Sequence, residues 1–201
     1  MFLSRLTLSP SFFGRRLAEN PFAIHQVVEV ACDGDVRPLY RLERTAGSSV
    51  ILVQSNVMPN WDHEAVDRRA FLSIETRPLS WNVEAGKRFV FRLAGNPTKR
   101  EKDGGRKRRA ILDPDGQVAW LKRKMEDAGV RVERVNLVSS WTQKSYRGVP
   151  RQDRWHASHV GVMFEGAIVV HDKNKFASAL KSGVGPGKAY GLGLLSVIPI
   201  S

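Results

Sequence analysis

The chain switches between two hydrophobic periods, and it does so in the same order twice. FLSRLTL at 2–8 is apolar and polar by turns, the period of a half-buried strand. Asn20 and Pro21 then open a helix predicted to run to about Cys32, because an Asn side chain accepts from free N–H groups and Pro suits the first helical position. Strands at 39–44 and 50–55, separated by the turn-forming Ala46, Gly47 and Ser48, read as a hairpin. A helical segment is expected at 64–71, and RFVFRLA at 88–94 alternates again, so the first half reads β-α-β-β-α-β.

Asn96 and Pro97 mark a boundary, after which the order repeats. Asp113 and Pro114 start a helix in which Val118, Leu121, Lys122 and Met125 have amphipathic spacing, and Gly129 closes it as a C-terminal cap. Strands are predicted at 130–138 and 160–170, a helix at 173–182 and a last strand at 194–198. Two such runs are the element order of an α+β chain with two tandem ferredoxin-like (RRM-like) βαββαβ domains, expected at 1–95 and 96–201. The two halves do not visibly repeat in sequence.

Charge narrows the function classes. Thirty-two Lys and Arg against 20 Asp and Glu give 201 residues a formal charge of +12, a field that attracts polyanions, nucleic acid first among them. The one cysteine, Cys32, forms no internal disulfide, and without a C-x-x-C pair no thiolate zinc site is expected. His156 and His159 are too little for a metal site, so neither metal nor cofactor is anticipated. The start has no signal-peptide pattern and nowhere do roughly 18 apolar residues run together, which predicts a cytoplasmic protein with no membrane partner.

The basic residues collect in two excursions. From Lys99 to Arg109, seven of them, including Arg100, Arg106, Lys107 and Arg108, face only Glu101 and Asp103, a pattern suited to sequence-independent phosphate contacts. The second excursion, 142–158, mixes Lys144, Arg147, Arg151 and Arg154 with Tyr146 and Trp155, so it can also stack on bases or enter a groove. A solvated loop is the plainer reading of each. The run GVGPGKAYGLG at 183–193 offers unobstructed backbone N–H groups at Gly185 and Gly187, and a point charge at Lys188, to a phosphate. It lacks the strand–GxxxxGK[ST]–helix order of a triphosphate loop, and a turn before an edge strand remains its alternative.

One residue carries candidate chemistry. Ile24, Val27, Val28 and Ala31 form the buried stripe of the first helix, which at 100° per residue puts His25 roughly 110° from the stripe's centre and Phe22 almost opposite it. A histidine there is either a solvated surface imidazole or a proton donor suited to neutral pH. RNA brings its own nucleophile, the 2′-hydroxyl, so strand cleavage asks of a protein only charge stabilisation and an acid.

Several ordered phrases add to this reading: FLSRLTLSP at the start, ENPFAIHQ, FRLAGNPTKR, QVAWLKRKMEDAG, FEGAIVV and the closing SGVGPGKAYGLGLLSV. Together they resemble the CasE family, the repeat-RNA endonuclease subunit of the Cascade complex, over nearly the whole chain. The resemblance implies a metal-independent endoribonuclease that cuts at the base of the CRISPR repeat RNA hairpin, with the other Cascade subunits as partners. It also implies that His25 is the general acid, that the hairpin from Lys144 to Arg154 grips the stem, and that the glycine-rich loop lies on the RNA side. Some members carry a tyrosine three positions before the acid; here that position is Phe22, which can neither give nor take a proton. A non-catalytic RNA-hairpin scaffold and a ribosome-associated protein are the alternatives.

Overall fold

The computed structural model describes residues 1–33, 37–45, 47–100, 108–146 and 155–200, with the side chains of 155–157 left aside. Two compact units account for them. The first takes Met1–Ser80, Lys144–Ser158 and Lys188–Gly191; the second takes Trp81–Gln143, His159–Gly187 and Leu192–Ser201.

In the first unit β1 (Phe2–Leu8) is followed by α1 (Phe12–Glu19), α2 (Pro21–Ala31), β2 (Leu39–Thr45), β3 (Ser48–Ser55), a 3₁₀ turn at Arg68–Ala70 and β4 (Phe71–Pro78). The strands form an antiparallel sheet in the order β2-β3-β1-β4. Its register aligns Leu42, Ile51, Leu6 and Ile74 in one row across the sheet. Leu6 and Ile51 pack there with Leu17 of α1 and Ile24 and Val28 of α2. The helix α1 was not anticipated. Its buried Gly14, Leu17 and Ala18 are spaced i, i+3, i+4, and Gly14 lies so close to the backbone oxygen of Ser9 that a Cβ would overlap it.

In the second unit β5 (Arg88–Gly95) precedes a small hairpin of β6 (Thr98–Arg100) and β7 (Arg108–Ala110), then α3 (Pro114–Asp127), β8 (Val130–Tyr146) and β9 (Trp155–Val170), whose ends at 144–146 and 155–158 count with the first unit, α4 (Lys173–Ser182) and β10 (Leu195–Pro199). The sheet order is β10-β5-β9-β8. Leu195, Leu93 and Phe164 pair across it over Trp120, Leu121 and Met125 of α3 and Phe176 and Leu180 of α4.

Two expectations are corrected. The RFVFRLA strand does not end the first half; as β5 it pairs with β9 and β10 and opens the second sheet. The strand that completes the first sheet is β4, where a helical segment was expected to end. As an edge strand with no buried residue, β4 gives almost no apolar alternation to read. The result is a mixed α/β fold with antiparallel sheets and, among the described residues, four helices.

Candidate functional site

The first turn of α2 organises the candidate site in the first unit. Asn20 caps the helix, its Oδ1 accepting from Phe22 N at 3.1 Å, and Pro21 fills the first helical position. The helix then turns Ile24, Val28 and Ala31 into the core and leaves His25 at the edge, its side chain 22% exposed. The imidazole Nε2 lies 3.2 Å from Glu29 Oε1 one turn on, and the Phe22 ring stands edge-on at 6.4 Å. Phe22, expected on the face opposite the core, is only half exposed.

Two other segments meet this turn. The Asn20 amide also bonds both backbone groups of Tyr146: Nδ2 donates to Tyr146 O at 3.1 Å, and Tyr146 N donates to Oδ1 at 3.3 Å. The root of the second basic excursion is thereby fastened to the helix that bears His25. From beneath, the Tyr40 hydroxyl lies 2.6 Å from Pro21 O and 3.0 Å from Ala189 O, two acceptors for one hydrogen. Burial, then the neighbouring Tyr190 and Glu29, hold the Tyr40 phenol well above its ordinary pKa, so it remains a donor. Ala189 sits in a 3₁₀ turn, Lys188–Tyr190, that packs against α2 and β2. Gly191 ends that segment at φ 76°, where a Cβ would stand 2.8 Å from a Tyr40 ring carbon.

Lys188 is half buried in the same turn, and burial first, then the Arg37 guanidinium, lowers its pKa below the ordinary lysine value. Lys144 is exposed next to the fastened root. Of the expected site residues, the first unit therefore gathers His25, Lys188 and Lys144. Arg147, Arg151 and Arg154 lie outside the described residues, as do Arg106 and Lys107.

The second unit holds the remainder. Lys99 pairs with Arg109, and Arg100 with Arg108, across the β6–β7 hairpin, all four exposed. Four cations on one short ribbon form a concentrated positive surface for phosphates. Gly185 and Gly187 both have left-handed φ, near 80° and 88°; the first is pressed against the Trp120 ring and the second lies beside Leu192 and Asn96. His159 is half buried, and desolvation pulls its pKa below the ordinary histidine value.

Sequence reasoning missed Glu29, Tyr40 and Arg37, which neighbour His25, the first turn of α2 and Lys188 in turn. Only Glu29 had a readable signal, its i, i+4 spacing from His25. Among the described residues no group of three or more His, Cys, Asp or Glu is placed to hold a metal ion, and no helix is long and apolar enough to cross a membrane.

Comparison with known proteins places this chain in a family. The CRISPR-associated endoribonuclease Cse3 of Thermus thermophilus is 36% identical over 99% of this chain and 100% of its own. Its structure bound to an RNA representing a pre-cleavage complex superposes with a TM-score of 0.88 at 34% identity, covering 98% of both chains. The Cascade subunit CasE of Escherichia coli K12 is 29% identical over 75% of this chain and 74% of its own. The family model described as CRISPR associated protein matches residues 1–199, and the chain belongs to that family.

Proposed function

We propose that this protein is an endoribonuclease that binds the CRISPR repeat RNA hairpin, cuts at its base and stays with the product as a subunit of Cascade. The observation that carries this reading is the 36% identity along 99% of the chain to an endoribonuclease whose RNA-bound fold it shares. His25 is the general acid. The 2′-hydroxyl of the nucleotide before the cut gives up its proton to water as its oxygen bonds the adjacent phosphorus, the bond to the 5′-oxygen breaks, and His25 gives that oxygen its proton, leaving a 2′,3′-cyclic phosphate. The nucleophile belongs to the RNA, so this chemistry asks for neither a coordinated water nor a cofactor.

Binding falls to the cations. Lys99, Arg100, Arg106, Lys107, Arg108 and Arg109 contact phosphates, while Lys144, Arg147, Arg151 and Arg154 hold the stem and Lys188 stands near the reacting strand. Gly185 and Gly187 shape the loop that leads to Lys188. The fold that carries these groups is a pair of tandem ferredoxin-like domains. Its support is the strand order: numbered within each four-stranded sheet, both run 2-3-1-4. We place the division between the domains ahead of Trp81 rather than after Gly95. The protein works in the cytoplasm, where its RNA is made.

A synthetic repeat hairpin tests the function. Cleavage is expected to persist in chelator, and a 2′-deoxy nucleotide before the cut is expected to bind and resist. Cleavage lost in chelator and restored by magnesium would move the protein to a metal-dependent class, and binding without cleavage would make it a scaffold.

A further inference from the structure

Two segments of distant sequence meet the turn that precedes His25, one at Asn20 and the other through Tyr40. Tyr146, at the root of the basic hairpin, is held by Asn20, whose Oδ1 also caps the helix at Phe22 N. Ala189, in the turn that carries Lys188, is held by the Tyr40 hydroxyl, which reaches Pro21 O as well. A helix needs only one such cap, and Asn20 alone supplies it. The further bonds give α2 no additional helical turn; they fix where its start stands relative to the hairpin root and the Lys188 turn. His25 follows Asn20 by five residues, so about one and a half turns of helix convert a displacement of the first turn directly into a displacement of the imidazole.

We propose that Asn20 and Tyr40 are positioning residues for cleavage: they join the hairpin root and the Lys188 turn to the start of α2 and so set the imidazole of His25 against the phosphate those segments hold. This rests on His25 acting as the acid and on both segments contacting RNA. Neither side chain touches the reacting atoms. Tyr40 is 1% exposed and its phenol stays protonated, so its role is that of a fixed donor. Proton transfer tolerates little misplacement, and an error near 1 Å costs up to about 100-fold in rate.

Two variants separate position from grip. Asn20→Ser keeps an oxygen for the cap but is too short to bond both groups of Tyr146; Tyr40→Phe removes one hydroxyl and keeps the ring. Each is expected to lower the single-turnover cleavage rate at saturating protein by about 10- to 100-fold. Affinity for a hairpin carrying a 2′-deoxy nucleotide at the cut should stay within about three-fold, since single hydrogen bonds inside the protein contribute little to many phosphate contacts. Rates equal to wild type would overturn the proposal, as would rate and affinity falling together with loss of folded signal. The ring-proton resonances of His25, identified by their absence in His25→Ala, provide a readout that does not need cleavage. They should move in both variants. If the wild-type protein proves unable to cut, the functional reading fails and a role in cleavage falls with it; unmoved His25 resonances in a protein that does cut would overturn the positioning claim alone.

Discussion

The helices α2 and α3 come at the same point in the chain order of their sheets, between the first and second strands of each four-stranded sheet, yet their ends are built differently. In α3, Asp113 caps the Gly116 amide at 2.6 Å, so the first turn is completed by a neighbouring residue, and only the far end, at Gly129 with φ 80°, meets a distant segment, its carbonyl accepting from His171 N and Asp172 N. Its buried Gln117, Trp120, Leu121 and Met125 make a regular stripe, and its outer face carries Lys122 and Arg123. In α2 the cap residue also bonds a strand 126 residues away, and the first turn takes a further bond from Tyr40. The helix whose first turn is closed locally serves the core; the one whose first turn is tied to distant segments carries His25. One arrangement of strands thus gives a packing element in one unit and the helix of the candidate site in the other, and the two differ in what holds the first turn.

The largest effect expected from this contrast is on α3. Trp120→Ala empties the centre of the second core and should cost about 3–5 kcal/mol, read by urea denaturation. A loss below 1 kcal/mol would show that α3 is not the packing element described. Next comes Gly191→Ala, which forces a Cβ against Tyr40 at a left-handed backbone position. It should cost about 1–3 kcal/mol and slow cleavage, whereas Gly47→Ala, also left-handed but in open space, should leave the rate intact. Equal cleavage by both variants would argue against Tyr40 as part of the site.

A smaller effect compares the cations of the two units. If Lys188 and Arg108 each neutralise one phosphate, replacing either with Ala should shallow the slope of log affinity against log salt by about 0.7–0.9. An unchanged slope would mark that residue as solvated. The smallest concerns α4, where the backbone N–H of Lys175 first, with lesser help from the Lys175 charge and the amide of Asn174, holds Asp172 below its ordinary carboxyl range. As pH falls the unfolded chain takes up that proton before the folded one, so the contribution is present above about pH 4 and is lost as pH falls through the folded value. Asp172→Asn keeps the acceptor and should lose less stability between pH 6 and pH 3 than wild type; an equal loss would remove Asp172 from that dependence.

These differences track what the sequence could reveal. The helix α3 was readable because every signal for it is local: Asp113 and Pro114, the spacing of Leu121 and Met125, and Gly129. For α2 the sequence disclosed the Asn20 cap, the buried Ile24 and Val28 and the lateral place of His25, all of which follow from 3.6 residues per turn. It could not disclose the partner of Asn20 at Tyr146, nor Tyr40 beneath Pro21, because neither bond has a periodic signature. The same limit sent β5 to the wrong half, since its alternation is that of any half-buried strand and only its pairing with β9, about 70 residues on, assigns it. At the edge, β4 buries no residue and so went unread, while the helix expected just before it at 64–71 is turns and the 3₁₀ turn at Arg68–Ala70.

The central claim is that His25, at the edge of α2, supplies the proton for cleavage. Single-turnover cleavage of a repeat hairpin by His25→Ala, with binding measured in parallel, tests it most directly. The account predicts a rate lower by roughly 10² to 10⁴ with affinity nearly unchanged, because a general acid contributes on that scale while one imidazole adds little to the grip of many cations. A variant that cuts at the wild-type rate would contradict it.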